Sequence, residues 1–422
     1  MYKLILRLNY TAPHPKRPIF DARDIYYMIY AAAPRRVRVG SLLGLKRLKT
    51  MSKHKVIVMY SGGLDSTIAI HLLKSQGLDV TALHFRMPFN VGIGTSPNEV
   101  MGYADALGVP LRVEEEGEEF VDMVRNPKFG YGKNANPCID CRIHRLKSAA
   151  KIVEETGAVC LATGEVAGQR PMSQKIYTLM RIEKHAGLKG KLLRPLSAKL
   201  LPPTEAEEAG IIDREKLLDI SGRSRAVQLA YAKQHGLRSS SPGGGCLLTN
   251  VETAARFNEL MARNPQFTLE EFKLLAYGRH FRRPSGYRVI IARDGDENDR
   301  IERICRLAEL PGVSAPWMDV SKKREASINQ EASTQDASKR MPKIHLFYMR
   351  DTTGPIAVGL GDPDESDLQF SASAVVRFSR LRGEGRAAVA VCGDGVDRII
   401  ETAAAGEEVL DRCRVCSASW KK

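Results

Sequence analysis

Six residues, Ser61-Gly62-Gly63-Leu64-Asp65-Ser66, follow the apolar run 56–60 and open a stretch of helical spacing over 66–76. A strand that turns on two glycines into a helix belongs in a parallel sheet, with the turn at the carboxyl end of the strand. Gly62 and Gly63 let the backbone come close to a bound group and turn its N–H groups toward an anion. The start of the helix adds the positive end of its dipole, and Ser61 and Ser66 add hydroxyls. Asp65 does not suit a pure anion cradle, and is read as an orienter of the loop or a partner for magnesium. No Gly-Lys-Ser/Thr follows, so the pattern is not a Walker loop.

The chain beyond this turn repeats the same unit. Short apolar runs at 80–85, 111–114 and 159–163 alternate with helical patterns at 98–107 and 139–155. Such alternation predicts an α/β fold, a doubly wound parallel sheet with helices on both faces, over residues 51–250. A smaller α/β unit is expected over 251–320 and 341–420, with strands at 287–292, 344–349, 356–360 and 387–391 and a Gly-Arg-His turn near Arg279. Residues 321–340, rich in Lys, Glu, Ser and Gln without period, read as a flexible insertion.

The formal net charge is +15, which points to an anionic partner. Residues 1–50 hold eleven Lys/Arg and two Asp, so +9 of the +15 lies there and only +6 in the rest. Three readings of this leader stay open: an extension upstream of the true start at Met51, a basic RNA-binding arm, or an Arg-rich targeting segment. No run of eighteen apolar residues occurs, so no membrane helix is expected.

Eight cysteines in 422 residues do not resemble a secreted disulfide framework, and a reducing cytoplasm is the expected compartment. Cys160, Cys305 and Cys392 sit in apolar surroundings and read as packing residues. Cys138 and Cys141 are spaced Cys-x-x-Cys at the start of a helix, a position expected to lower a thiol's pKa. Cys246, 105 residues beyond Cys141, follows Gly243-Gly244-Gly245, a run able to bring its thiol to the same spot. Three thiols without a fourth ligand would leave an open coordination position. The pair Cys413 and Cys416 at the tail reads as unremarkable, or as a metal site across a homodimer.

The hexapeptide resembles the signature of the PP-loop (HUP-like) ATP pyrophosphatases. That resemblance implies ATP with Mg2+, cleavage between the α and β phosphates, and pyrophosphate held by Ser61, Gly62, Gly63, Asp65 and Ser66. The stretch 136–141, the basic helix after it and Leu161-Ala162-Thr163-Gly164 look like the corresponding part of tRNA thiouridylases. Ser221-Gly222-Arg223-Ser224-Arg225 is similar to the 4-thiouridine synthases, and Gly168-Gln169-Arg170-Pro171-Met172-Ser173-Gln174 to a less studied thiouridylase-like branch. The resemblance covers about residues 53–250. It implies that a base carbonyl in tRNA or another structured RNA is adenylated and its oxygen replaced by sulfur. The donor would be hydrosulfide or a cysteine desulfurase, with Arg86, Gly164, Arg170 and Gln174 near the nucleotide. Cys138, Cys141 and Cys246 would carry the sulfur chemistry, through a 4Fe-4S cluster or through a persulfide resolved by a second cysteine. Sulfur transfer to a small molecule, and a non-catalytic nucleotide and RNA-binding module, are the alternatives. Residues 277–298 resemble the RNA-binding domain of ribosome quality-control (NFACT) proteins. Arg279, His280, Arg282, Arg283, Arg288 and Arg293 are read there as phosphate contacts, with Phe281 or Tyr287 for base stacking. His144, Arg145 and Lys147 are read as a grip on an RNA backbone.

Overall fold

The computed structural model describes residues 54–89, 97–170, 172–240, 245–307, 342–383 and 385–416. The leader, the insertion 321–340 and two of the three glycines before Cys246 lie outside the described residues. Residues 53–422 form one compact unit.

Five strands build the first sheet: β1 (Lys55–Met59), β2 (Asp79–Arg86), β3 (Leu111–Glu115), β4 (Cys160–Thr163) and β5 (Leu192–Leu193). All pair in parallel, in the order β3-β2-β1-β4-β5. The order reverses at β1, so the crevice beyond β1 and β4 is where a ligand is expected in such a sheet. Side chains alternate across each strand. Val56, Val58 and Tyr60 with Val80 and Ala82 pack under the helices Leu64–Lys74 and Pro97–Leu107. Ile57, Leu83 and Phe85 pack on the opposite face under Cys138–Thr156 and Ile176–Ala186. The doubly wound reading therefore holds, with element ends within two residues of those expected.

The second sheet belongs to the smaller α/β unit, and the four strands expected there are present. Strands β6 (Arg279–Arg282), β7 (Arg288–Ile291), β8 (Ile344–Met349), β9 (Ala357–Leu360), β10 (Ala387–Gly393) and β11 (Val396–Thr402) run in the order β11-β10-β8-β9-β7-β6. Every pairing is antiparallel. The expected Gly-Arg-His turn is strand β6, whose His280 and Phe281 point into the protein between two half-buried arginines. β11 also escapes sequence reading: it is an edge strand, and its exposed Asp397, Arg398 and Glu401 mask its period.

The two sheets share a core. Phe89 and Phe120, from the parallel-sheet half, join Phe257, Phe267 and Phe272 and then Ile290, Ile344 and Val358 of the antiparallel sheet. Phe272 is the hub, with ring centroids 4.5 Å from Phe89, 6.0 Å from Phe267, 6.3 Å from Phe257 and 6.4 Å from Phe120. Truncating such a ring removes its buried area and leaves a cavity, at a cost of about 3–5 kcal/mol. Phe272→Ala is therefore expected to lower the stability of both halves together. Urea denaturation followed separately by near-UV and far-UV signals should show one coincident, earlier transition; two separated transitions would mean that the halves do not share this core.

Candidate functional site

A cleft of about 680 Å³ opens beyond the ends of β1, β2 and β4. Its floor is the glycine turn. Gly62 takes a left-handed φ of 76°, and Gly63 caps the helix Leu64–Lys74 without any side-chain cap, so the helix start keeps N–H groups for a ligand. The Ser66 hydroxyl donates to the Gly63 carbonyl at 2.9 Å, and the Gly63 N–H donates to Ser61 Oγ at 3.3 Å. From the far wall, the Ser240 N–H donates to the Gly62 carbonyl at 2.9 Å. One Asp65 oxygen accepts from Gln169 Nε2 at 3.1 Å; the other is buried without a protein partner. A desolvated carboxylate oxygen of this kind suits a cation held with a phosphate chain.

Gly164, directly after β4, leans on this turn. A Cβ there would lie 2.4 Å from Ser66 N and 2.6 Å from the Asp65 carbonyl carbon. No other residue fits. Ser61, Gly63, Asp65, Ser66, Gly164, Arg170, Gln174 and Cys246 all line the cleft. Gln174 is buried, and its Oε1 has no partner. Arg86 does not line the cleft; its guanidinium pairs with Glu115 of β3 at 2.5 Å.

Cys138 is the first residue of the 19-residue helix Cys138–Thr156. The helix start is expected to lower its pKa, but burial raises it, against the opposing pull of Arg142. The Cys246 thiol is exposed to the cleft, yet the protein packed around that cleft pushes it up to about 11, with Cys141 and Cys138 adding to the rise. Arg145 is held protonated by Cys141, which it also hydrogen-bonds, and it senses Glu116 and Cys246 as well. All three thiols thus lie within electrostatic reach of the Arg145 guanidinium. Among the described residues no three His, Cys, Asp or Glu side chains are close enough to hold a metal ion. The trio is not a closed single-ion site, although three soft thiols offset by arginines suit a larger thiophilic group, whose metals sit apart.

Sequence reasoning missed Arg142, Glu165 and Arg194. Arg142 lies four residues after Cys138, as Arg145 lies four after Cys141, so helical spacing alone puts each cation over a thiol. Arg142 pairs with Glu165, which also accepts from Arg194 at 3.2 Å; Arg194 in turn holds Glu183 at 2.8 Å. Burial and the neighbouring Arg170 and Arg145 lower Arg142 to about 10, leaving it charged at neutral pH. With Arg170, Arg223 and Arg225 the cleft presents five guanidinium groups, a field suited to phosphates. His84 belongs to the site too. Its Nδ1 lies 2.9 Å from the Tyr60 carbonyl, which only accepts, so Nδ1 donates and Nε2 is left as an acceptor. Burial holds its pKa down.

Most of the other expected contacts find partners within the fold. His144 turns to Glu116 at 2.9 Å, and Arg145 to the thiols, so that of the three residues only Lys147 is exposed. Phe281 and Tyr287 are buried and cannot stack on a base. Arg282 pairs with Glu259 at 2.6 Å, Arg283 with Asp367 at 3.0 Å and Arg293 with Glu297 at 2.5 Å. Arg288 and His280 are buried against each other, 3.0 Å apart, and Arg279 stacks over Phe378 at 4.5 Å.

The raised Cys246 thiol carries a pH signature. A thiol with a pKa near 11 is protonated at neutral pH, and only the thiolate alkylates. Iodoacetamide labelling at Cys246, followed by peptide mass spectrometry, should speed up about tenfold per pH unit between pH 8 and 10. A rate already flat above pH 8 would show that burial does not govern this thiol.

Comparisons with known proteins agree with this geometry. Residues 54–187 match the family model described as tRNA methyl transferase HUP domain. The tRNA-specific 2-thiouridylase MnmA of Syntrophotalea carbinolica is 33% identical over 151 residues, covering 34% of this chain and 39% of that protein. The chain thus spans about two fifths of that relative's length. Two solved structures overlap it loosely. The U34-tRNA thiolase NcsA from Methanococcus maripaludis with its 4Fe-4S cluster shares 16% identity at a TM-score of 0.29, over 53% of this chain and 69% of that one. The C-terminal part of the fibronectin/fibrinogen-binding protein from Streptococcus suis shares 9% at 0.22, over 66% and 94%. Residues 54–187, the segment that matches this model, carry β1 to β4 of the five-stranded parallel sheet of a HUP-type fold.

Proposed function

We propose that the protein is an ATP-dependent RNA sulfurtransferase, acting on tRNA, that activates a base carbonyl as its adenylate and replaces the oxygen with sulfur. The observation that carries this reading is that Cys246 lines the same cleft as the Ser61–Ser66 turn, with Cys138 and Cys141 close enough to influence its charge. A cleft for phosphoryl chemistry alone needs no such trio. The likeness of the HUP segment to 2-thiouridylases supports the same substrate class.

In this reading the turn and the helix start bind the β and γ phosphates, and the free Asp65 oxygen meets the magnesium ion that shields them. The base oxygen attacks the α phosphorus, the bond to the bridging oxygen breaks, and pyrophosphate leaves. Arg170 and Arg142 stabilise the charge that develops on the α phosphate. The base carbon then carries AMP, a far better leaving group than the original oxygen. Sulfur attacks that carbon, the C–O bond breaks, and AMP departs with the oxygen. The cleft arginines favour an anionic sulfur over water at this step, and the Glu165 pair fixes Arg142 in place. Cys138, Cys141 and Cys246 would hold a 4Fe-4S cluster, where one is bound, and it would present the sulfur donor. Without a cluster, one cysteine would carry the sulfur as a persulfide and another would resolve it, forming a disulfide that a thiol reductant reopens.

Asp65→Asn is expected to slow pyrophosphate release from ATP in the presence of tRNA at least about 100-fold. Cys246→Ser should release pyrophosphate near the wild-type rate while forming no thiolated RNA on mercury-containing gels. Unchanged pyrophosphate release in the first variant, or thiolated RNA made by the second, would overturn the assignment. Anaerobic purification with an iron count and absorption spectrum decides between cluster and persulfide.

A further inference from the structure

Arg282, Arg283 and Arg288 of the antiparallel half are taken up by partners within the fold, and the parallel half offers a polyanion a different face. Two segments of the HUP half stand out. Residues 126–137 and 170–181 contain no Asp or Glu. They touch: the Arg181 guanidinium lies 4.6 Å over the Phe129 ring, and the Met172 tip lies 3.3 Å from where a Cβ on Gly132 would be. The nearest acid is turned inward. Asp140, buried, accepts the backbone N–H groups of Lys128 and Phe129 at 2.9 and 3.0 Å, which pins the first segment to the helix of Cys138.

What the joined surface shows to solvent is basic and aromatic. Lys128, Lys133, Lys175 and Arg181 are exposed, and no carboxylate pairs with any of them among the described residues. Tyr177, in the first turn of the helix Ile176–Ala186, is 67% exposed, beside the similarly open Ile176 and Met172. Arg170 and Gln174 of the second segment line the cleft.

We propose that this surface is the landing strip for the unpaired RNA strand beside the target nucleotide, with the lysines on phosphates and a base stacked on Tyr177. The inference rests on the RNA reading above and locates its binding face. Cations without carboxylate partners, next to an open aromatic ring, fit a strand that offers phosphates and flat bases in alternation. An acidic protein would use the charges and leave the ring idle.

The test measures binding of unfractionated tRNA to the full chain across a salt series, with ATP affinity and thermal melting as controls. Lys128→Glu/Lys133→Glu/Lys175→Glu is expected to weaken tRNA binding more than tenfold at 150 mM salt. Its log–log salt slope should fall by about 2, at roughly 0.7 for each phosphate that is no longer neutralised. Tyr177→Ala should weaken binding about tenfold, and Tyr177→Phe should restore it. ATP affinity and melting should stay at the wild-type values in all three. A triple variant with wild-type affinity and slope would remove the surface while leaving the thiolation reading standing. RNA bound through this surface but never thiolated would keep the surface and remove the chemistry. Wild-type protein that binds no tRNA at low salt would remove both. Polyglutamate competing as well as tRNA, with Tyr177→Ala neutral, would overturn the proposal in favour of an acidic protein partner.

Discussion

The contact between Gly164 and the backbone of Asp65 and Ser66 governs the cleft. Two loops at the ends of adjacent parallel strands approach so closely that no Cβ fits between them. This contact fixes the glycine turn against β4, and everything downstream of β4 inherits its position from there. Glu165, next in the chain, reaches Arg142 and Arg194; Gln169 reaches Asp65; Arg170 and Gln174 line the wall. A single run of eleven residues thereby touches the phosphate cradle, the carboxylate and the arginine beside the first thiol. A larger residue at 164 would part β4 from the turn and move all of these groups at once, because close-packed backbone has no slack to absorb the shift.

The distribution of cations follows from how each sheet is covered. The antiparallel sheet buries Arg288 almost entirely, with burial and the nearby Arg282 lowering it to about 10. His280 gives its Nε2 proton to the Tyr277 carbonyl at 2.7 Å, and so its Nδ1 can accept from Arg288. Burial and Arg256 hold that histidine's pKa well down, so the acceptor survives at neutral pH. Only Arg288 Nη2 is satisfied this way; its Nε and Nη1 are buried without a protein partner. The parallel half spends fewer of its cations this way: Arg142 alone of the five cleft arginines is in an ion pair among the described residues.

Much of the parallel half was legible because its central strands are buried on both faces, which writes them as unbroken apolar runs, and because Gly108 and Gly157 follow their helices in the left-handed conformation. The turn at 61–66 announced itself by residue type, and the cleft indeed gathers Ser61, Asp65, Gly164, Arg170, Gln174 and Cys246. The antiparallel half was harder to read. Strand β6 carries arginines at both ends that look solvent-bound until Glu259, twenty-three residues upstream, claims Arg282. Partners that distant leave no mark on local spacing. Arg86 misled for the same reason, since Glu115 lies one strand away in space but 29 residues along the chain.

The thiols show why spacing predicts proximity better than reactivity. A Cys-x-x-Cys at a helix start has the dipole in its favour, a term of order 1 kcal/mol at best. Removing a thiolate from water costs more, and at Cys138 burial is the larger effect. Arg142, Arg145 and Arg170 each pull the other way, and Arg142 stays protonated at neutral pH. The arginines lower the cost of ionisation without removing it, so Cys138 and Cys246 rest as neutral thiols. An incoming soft electrophile shifts that balance by taking up the sulfur charge directly, while an incoming phosphate competes for the same guanidinium groups. In the proposed reaction, nucleotide and sulfur donor would therefore compete for one set of charges, which favours their acting in sequence over their acting at once.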